Sequence, residues 1–284
     1  MKIDRAQRQR REIKYIIDEN KAMAVRAFVQ CYLLPDENAE GKPNNSYEVH
    51  TLYLDSNHLR TFHAANDGER NRFKLRIRYY DDDPLSPVFF EIKRRLSEGI
   101  VKQRARVKRD AVKALLLGEP PRREFLYAES GQQWVDLLDF WQLVEKLEAA
   151  PRAHNAYLRE AYVSPGKGNV RVTIDRAVRI EPEFSGILSA RMTNPVEVFG
   201  GVVILELKFT DRMPMWMIEM VRGFELKSCG AAKYVRGVEI LGVHKVARRM
   251  TGFEWGSAIT NTLTSAPWLD NSAALRGALG PNRQ

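Results

Sequence analysis

The stretch RFKLRIRYY, residues 72 to 80, sets Arg72, Lys74, Arg76 and Arg78 at every second position, with Phe73, Leu75, Ile77 and Tyr79 between them. Side chains on a strand point alternately to opposite faces, so this segment presents one cationic face and one apolar face. A solvated antiparallel strand is the simplest reading of such a pattern. Four like charges along one face with no acid between them repel one another, however, which asks for something better than water on that side.

Other segments repeat the pattern. IVKQRARVK places Lys102, Arg104, Arg106 and Lys108 together, FEIKRR pairs Glu91 with Lys93, and REIKYII pairs Glu12 with Lys14. NVRVTID groups Arg171, Thr173 and Asp175, and VILELKF groups Ile204, Glu206 and Lys208. The last run is so apolar that it reads as a strand covered on both faces, where an isolated charge costs several kcal/mol; Glu206 and Lys208 therefore need partners. A closed antiparallel barrel with these faces turned inward supplies them, because cations and carboxylates from facing strands then share a lumen with an anion and a metal.

The remaining elements fit an α+β domain. A helix is expected after Asp18 as N-cap, a polar turn over 35–46, and a strand in YEVHTLYLD. DAVKALLLG reads as a short helix capped by Asp110 and stopped by Gly118, and QQWVDLLDFWQLVEKLEA as a longer helix with a core stripe of Trp134, Leu137, Leu138, Trp141 and Val144. Another helix is expected over 214–226, with Pro214 near its first turn. Strands dominate and no βαβ rhythm or internal repeat is visible. The domain is expected over residues 1–250, and 251–284, rich in Ser, Thr, Asn, Ala and Gly, as a mobile tail.

The chain of 284 residues carries 45 Lys and Arg against 36 Asp and Glu, a formal charge of +9, which favours an anionic partner without choosing one. Cys31 and Cys229 suggest reduced thiols, and no segment has the apolar length of a signal or membrane span. A cytoplasmic protein is expected, reaching the inner face of a membrane only through a membrane-protein partner. His50, His58, His63, His154 and His244 lack metal-ligand spacing and read as structural or surface residues. Gly166 and Gly168 suit a turn between strands, since no Walker-type GK[ST] follows.

EIKY, YEVHTLYLD, KLRIRYY, FFEIKRR with GIVKQRARV, YLREAYVS with VRVTIDR, ILELKF and AAKYVRG, in this order from about residue 8 to residue 240, together resemble the VTC domain. That domain is the polyphosphate polymerase branch of the triphosphate tunnel metalloenzymes. The resemblance implies an eight-stranded antiparallel tunnel barrel with flanking helices, which binds the triphosphate of ATP with Mn²⁺ or Mg²⁺ and transfers the γ-phosphate onto inorganic polyphosphate. It implies phosphate contacts for Lys14, Arg76, Arg78, Lys93, Lys102, Arg159, Arg171 and Lys233, with Lys208 and Arg104 as further members. Glu206 takes the metal-ligand role, with Glu91 and Glu12 as weaker candidates for which a structural ion pair is equally suitable.

Hydrolytic relatives begin with a Glu-x-Glu-x-Lys signature, whereas this chain has Arg10 in place of the first acid, ahead of Glu12 and Lys14. The departure favours chain handling over hydrolysis. Two alternatives stay open: a triphosphatase using the same tunnel, and a non-catalytic polyanion-binding module. Nucleic acid is not an expected ligand, because no stacking platform is recognisable. The basic run with Arg5, Arg8, Arg10 and Arg11 fits either an extended anion path or a solvated surface.

Overall fold

The computed structural model describes residues 10–97, 99–166 and 169–247. The chain divides into two units, Met1–Ala247 and Arg248–Gln284. The expected tail over 251–284 and the basic residues Arg5 and Arg8 lie outside the described residues.

Ten strands form one sheet: β1 (Arg10–Ile17), β2 (Leu34–Pro35), β3 (Ser46–Asp55), β4 (Arg72–Tyr79), β5 (Val88–Leu96), β6 (Gly99–Val107), β7 (Ala150–Val163), β8 (Val170–Pro182), β9 (Val196–Glu197) and β10 (Val203–Thr210). Among the described residues seven helices flank them: α1 (Glu19–Gln30), α2 (Arg60–Asn66), α3 (Val112–Leu116), α4 (Gly131–Leu147), α5 (Met215–Gly223), α6 (Lys233–Leu241) and α7 (Val243–Val246). Eight strands follow the spatial order β1-β10-β8-β7-β3-β4-β5-β6, all antiparallel, while β2 and β9 pair onto β7 and β8. Among the described residues no helix is long and apolar enough to cross a membrane.

The sheet curls into a half-barrel where a closed barrel was expected: among the described residues its end strands do not pair with each other. Both edges are occupied by other segments. On β6 the amides of Arg104 and Arg106 donate to Asp136 Oδ2 (3.1 Å) and Gln133 Oε1 (2.8 Å) of α4. On β1, Tyr15 bridges to Ser228 and the Cys229 amide donates to the Lys14 carbonyl. These bonds cover part of each edge. The two sides meet instead through an ion pair, Lys93 Nζ to Glu12 Oε2 at 3.2 Å.

The outer face of the sheet is apolar and helices cover it. Leu75, Ile77, Phe90, Ile92 and Val107 pack with Leu137, Phe140, Val144 and Leu147 of α4. Val172, Ile174, Leu205 and Leu207 pack with Val25 and Val29 of α1 and Met217 and Met220 of α5. Each such side chain contributes about 1.5–3 kcal/mol when fully buried, so the outer face supplies the stability that the charged inner face does not. In α4 the core stripe runs through Phe140 and Leu147, while Trp134, Leu138 and Trp141 are only partly buried. Asp110 is not the cap of α3: it lies in a preceding 3-10 turn over Arg109–Ala111, and Ala111 occupies the cap position. Asp18 does cap α1, accepting from the Lys21 amide at 2.8 Å, and Ser130 caps α4.

Helix α2 had no separate sequence signal. It is held by Asp55, fully buried, whose carboxylate accepts from the Thr61 and Phe62 amides, the Thr61 hydroxyl and the Tyr234 hydroxyl. His50 and His154 sit on the outer face in a buried network, His50 Nδ1 being 3.1 Å from His154 Nε2, which is in turn 3.1 Å from the Tyr79 hydroxyl. Burial lowers the pKa of both rings, that of His154 to about 4, so they are neutral structural groups.

Candidate active site

The inward face of the curled sheet bounds a cavity of about 1160 Å³. Among the described residues fourteen Lys and Arg side chains line it against three acids, Glu12, Glu37 and Glu206. This excess follows from register. Strand pairing sets Glu12 opposite Lys208 and Lys14 opposite Glu206, then Glu206 opposite Thr173 and Asp175 opposite Arg159. On the other wall Arg76 lies opposite Glu91, Lys74 opposite Lys93, and Lys93 opposite Lys102. A slip of one residue in any of these ladders would turn charge into the apolar outer layer, so the charge pattern and the hydrophobic pattern specify the same register.

Three carboxylates organise the cations. Glu206 carries Lys208 Nζ at 2.5 Å, Lys233 Nζ at 3.2 Å, Lys14 Nζ at 3.3 Å and Arg159 Nη2 at 3.6 Å, and accepts from the Thr173 hydroxyl at 3.3 Å. Burial works against its charge, but those cations hold its pKa well below the ordinary carboxylate range. Asp175, fully buried, accepts two bonds from Arg159 at 2.7 and 2.8 Å and pairs with Lys233 at 2.6 Å. Glu91, also fully buried, holds Lys102 at 2.6 Å, Arg76 at 2.7 Å, Arg104 at 3.2 Å and Arg78 at 3.8 Å.

The structure brings Lys14, Arg76, Arg78, Lys93, Lys102, Arg159, Arg171, Lys233, Lys208, Arg104, Glu206 and Glu12 to one cavity. Glu91 is different: it lies beneath the lining, with both oxygens facing cations, an arrangement that suits a structural ion pair rather than a metal ligand. Arg171 is held by Asp36, which is buried inside the polar turn and also accepts from the Asn38 and Ala39 amides. Nothing in the turn's composition marked Asp36 for that task. Lys74, Arg72, Arg95 and Arg106 also line the cavity; alternation along β4, β5 and β6 placed them on its face, but the motifs gave them no role.

The cations are not neutralised from within. Burial together with Lys93, Lys14, Arg76 and Arg72 pushes Lys74 down to about 7, and burial brings Lys102 to about 7 despite Glu91. Lys208 is lowered to about 8, chiefly by burial. Arg78 Nε is buried with no hydrogen-bond partner. Buried polar groups are normally satisfied, and like charges this close are costly, so the lining has the charge and spacing to accept anionic groups. Arginine forks fit phosphate oxygens bidentately, and lysines add point charges.

Metal donors are sparse. Among the described residues no group of three or more His, Cys, Asp and Glu side chains converges. Glu12 and Glu206 both face the cavity, 3.4 and 3.3 Å from the same Lys14 ammonium. Burial raises the Glu12 pKa, but Lys93, Lys208 and Lys14 bring it down to about 2, so both groups are ionised. Such a pair fits a hard divalent ion that arrives with phosphate oxygens as most of its ligands, and does not fit a protein-only cage.

Fold and site together define an antiparallel half-barrel with a charged lumen in place of an apolar barrel core. The family model for the VTC domain matches residues 9–242, and the chain belongs to that family. No functionally curated protein matches it by sequence. Among solved structures it is similar to the PH1819 protein of Pyrococcus horikoshii OT3, with a TM-score of 0.41 and 11% identity, covering 82% of this chain and 99% of that one. It is also similar to a Bacillus halodurans protein provisionally named an adenylate cyclase, with a TM-score of 0.46 and 10% identity, covering 78% and 92%.

Proposed function

We propose that the protein is a polyphosphate polymerase that uses ATP and a divalent metal, Mn²⁺ or Mg²⁺. The observation that carries this reading is the lumen itself: fourteen cations of the described residues around one continuous cavity, six of them held by the buried carboxylates of Glu91 and Asp175 behind them. Phosphoryl transfer needs positioning and charge stabilisation more than a protein nucleophile, and this wall supplies both. Arg159, Lys233, Arg76 and Arg78, fixed by carboxylates, are prearranged to hold the triphosphate and the charge that builds on the transferring group.

In the transfer, a terminal phosphate oxygen of the acceptor chain attacks the γ-phosphorus and forms the new P–O bond. The bond from that phosphorus to the β,γ-bridging oxygen breaks, its electron pair leaves with ADP, and the chain is longer by one phosphate. Glu206 and Glu12 would hold the divalent ion, which when bound neutralises phosphate charge and orients the oxygens it contacts.

The test is incubation of the full chain with γ-labelled ATP and Mn²⁺ or Mg²⁺, with and without a short polyphosphate primer, resolved by gel. A ladder of phosphate chains that disappears in Glu206→Ala is expected. Free phosphate with no ladder would overturn the reading in favour of a triphosphatase, and intact ATP in favour of a binding module.

A further inference from the structure

We infer that Lys74, Arg72 and Arg95 form a separate subsite for the phosphate chain, beyond the station that holds the triphosphate; the inference rests on the tunnel reading above. The cavity cations fall into two groups by what lies behind them. Arg159 and Lys233 are fixed by Asp175, Arg76 by Glu91, and Arg171 by Asp36. Groups pinned in this way present one geometry and suit a species that must be held still while a bond is made.

Lys74, Arg72 and Arg95 have no such anchor. Among the described residues none of the three forms an ion pair with a carboxylate; Arg72 donates to the Glu69 backbone carbonyl, and the charges around Lys74 are cations. They share the lumen face, with Arg72 opposite Arg95 and Lys74 opposite Lys93. Along β4 they continue the line of Arg76: at ~3.3 Å per residue, Arg72 lies roughly 13 Å beyond it. Like charges set directly opposite one another are costly without an anion between them, and long unpinned side chains follow a ligand that moves. A chain that advances by one phosphate per transfer needs contacts of this kind, strong enough to retain it and loose enough to let it shift.

Titration calorimetry of the full chain with inorganic triphosphate and with long-chain polyphosphate tests this without requiring turnover. In Lys74→Gln and in Arg95→Gln, each checked for an unchanged melting temperature, long-chain affinity is expected to fall about tenfold or more, since a charged contact is lost. Triphosphate affinity is expected to stay as in the native chain. An equal loss for both ligands would assign these residues to the triphosphate station, and no loss for either would leave the subsite without function; both results overturn the inference alone. A native chain that binds no triphosphate would overturn the tunnel reading and the inference together.

Discussion

Replacing Glu91 by Gln keeps the side-chain volume and removes the charge that four cations share. Lys102 and Arg104 are 39% and 36% exposed at the side chain, so solvent screens their part. Arg76 and Arg78 are 12% and 10% exposed and cannot recover by hydration. Removing one partner of a buried pair costs about 3–5 kcal/mol, and with half of the partners screened the lower figure applies, about 3 kcal/mol. For a domain of this size that lowers the melting temperature by roughly 6–12 °C. The same substitution leaves the lumen one positive charge richer, so a polyanion should stabilise the variant more than the native chain. Differential scanning calorimetry at low salt, with and without inorganic triphosphate and without added metal, reads both effects. A Glu91→Gln protein that melts within a degree or two of the native one, or that gains no extra stability from triphosphate, would refute the view of Glu91 as the counterion beneath the cationic wall. If Glu91 were a metal ligand, the change would instead appear as altered metal dependence with the same triphosphate effect.

Two further predictions concern the same lumen. Lys102, lowered to about 7, and Lys208, lowered to about 8, are protonated below those values and would bind triphosphate in that form. Triphosphate affinity should therefore fall as pH rises from 6 to 9, by about tenfold for each full unit of affinity-linked proton uptake; a calorimetric titration flat across that range would contradict it. At Gly237 a Cβ would lie 2.4 Å from Ile180 Cδ1, where α6 packs on β8. Gly237→Ala should cost roughly 1–3 kcal/mol in urea denaturation. By displacing α6, whose first residue Lys233 reaches Asp175 and Glu206, it should also weaken triphosphate binding; a stable variant with native affinity would show that Ile180 yields freely.

Alternation made the lumen legible. Arg72 to Arg78 in β4, Lys102 to Arg106 in β6 and Glu206 with Lys208 in β10 could be placed on one face from sequence, because a two-residue period admits no other arrangement on a strand. It could not separate a residue that lines the wall from one that lies under it: Glu91 shares a face with Lys93, and only the pairing of β4, β5 and β6 shows that cations close over it. Asp36 was hidden for a different reason. Its Asx-type bonds to Asn38 and Ala39 are those of any polar turn, and its pairing with Arg171 spans 135 residues. Helix α2 is seven residues long, and Asp55, which accepts from its amides, precedes its first residue by five positions, so neither periodicity nor a standard cap announced it. Asp110 had the composition of a cap, but a 3-10 turn reached the position first.

The unpaired edges have a mechanical consequence. In a barrel joined all the way round, strand number and stagger set the bore. Here the hoop is fastened by a clasp, Glu12 on Lys93, and a clasp made of two charges opens at a far lower cost than a ladder of backbone bonds. Salt loosens it, and an anion drawn to Lys93 competes with Glu12 for the same ammonium. The girth of the lumen is therefore set along one line by an ion pair, and an anion bound at Lys93 is expected to slacken it.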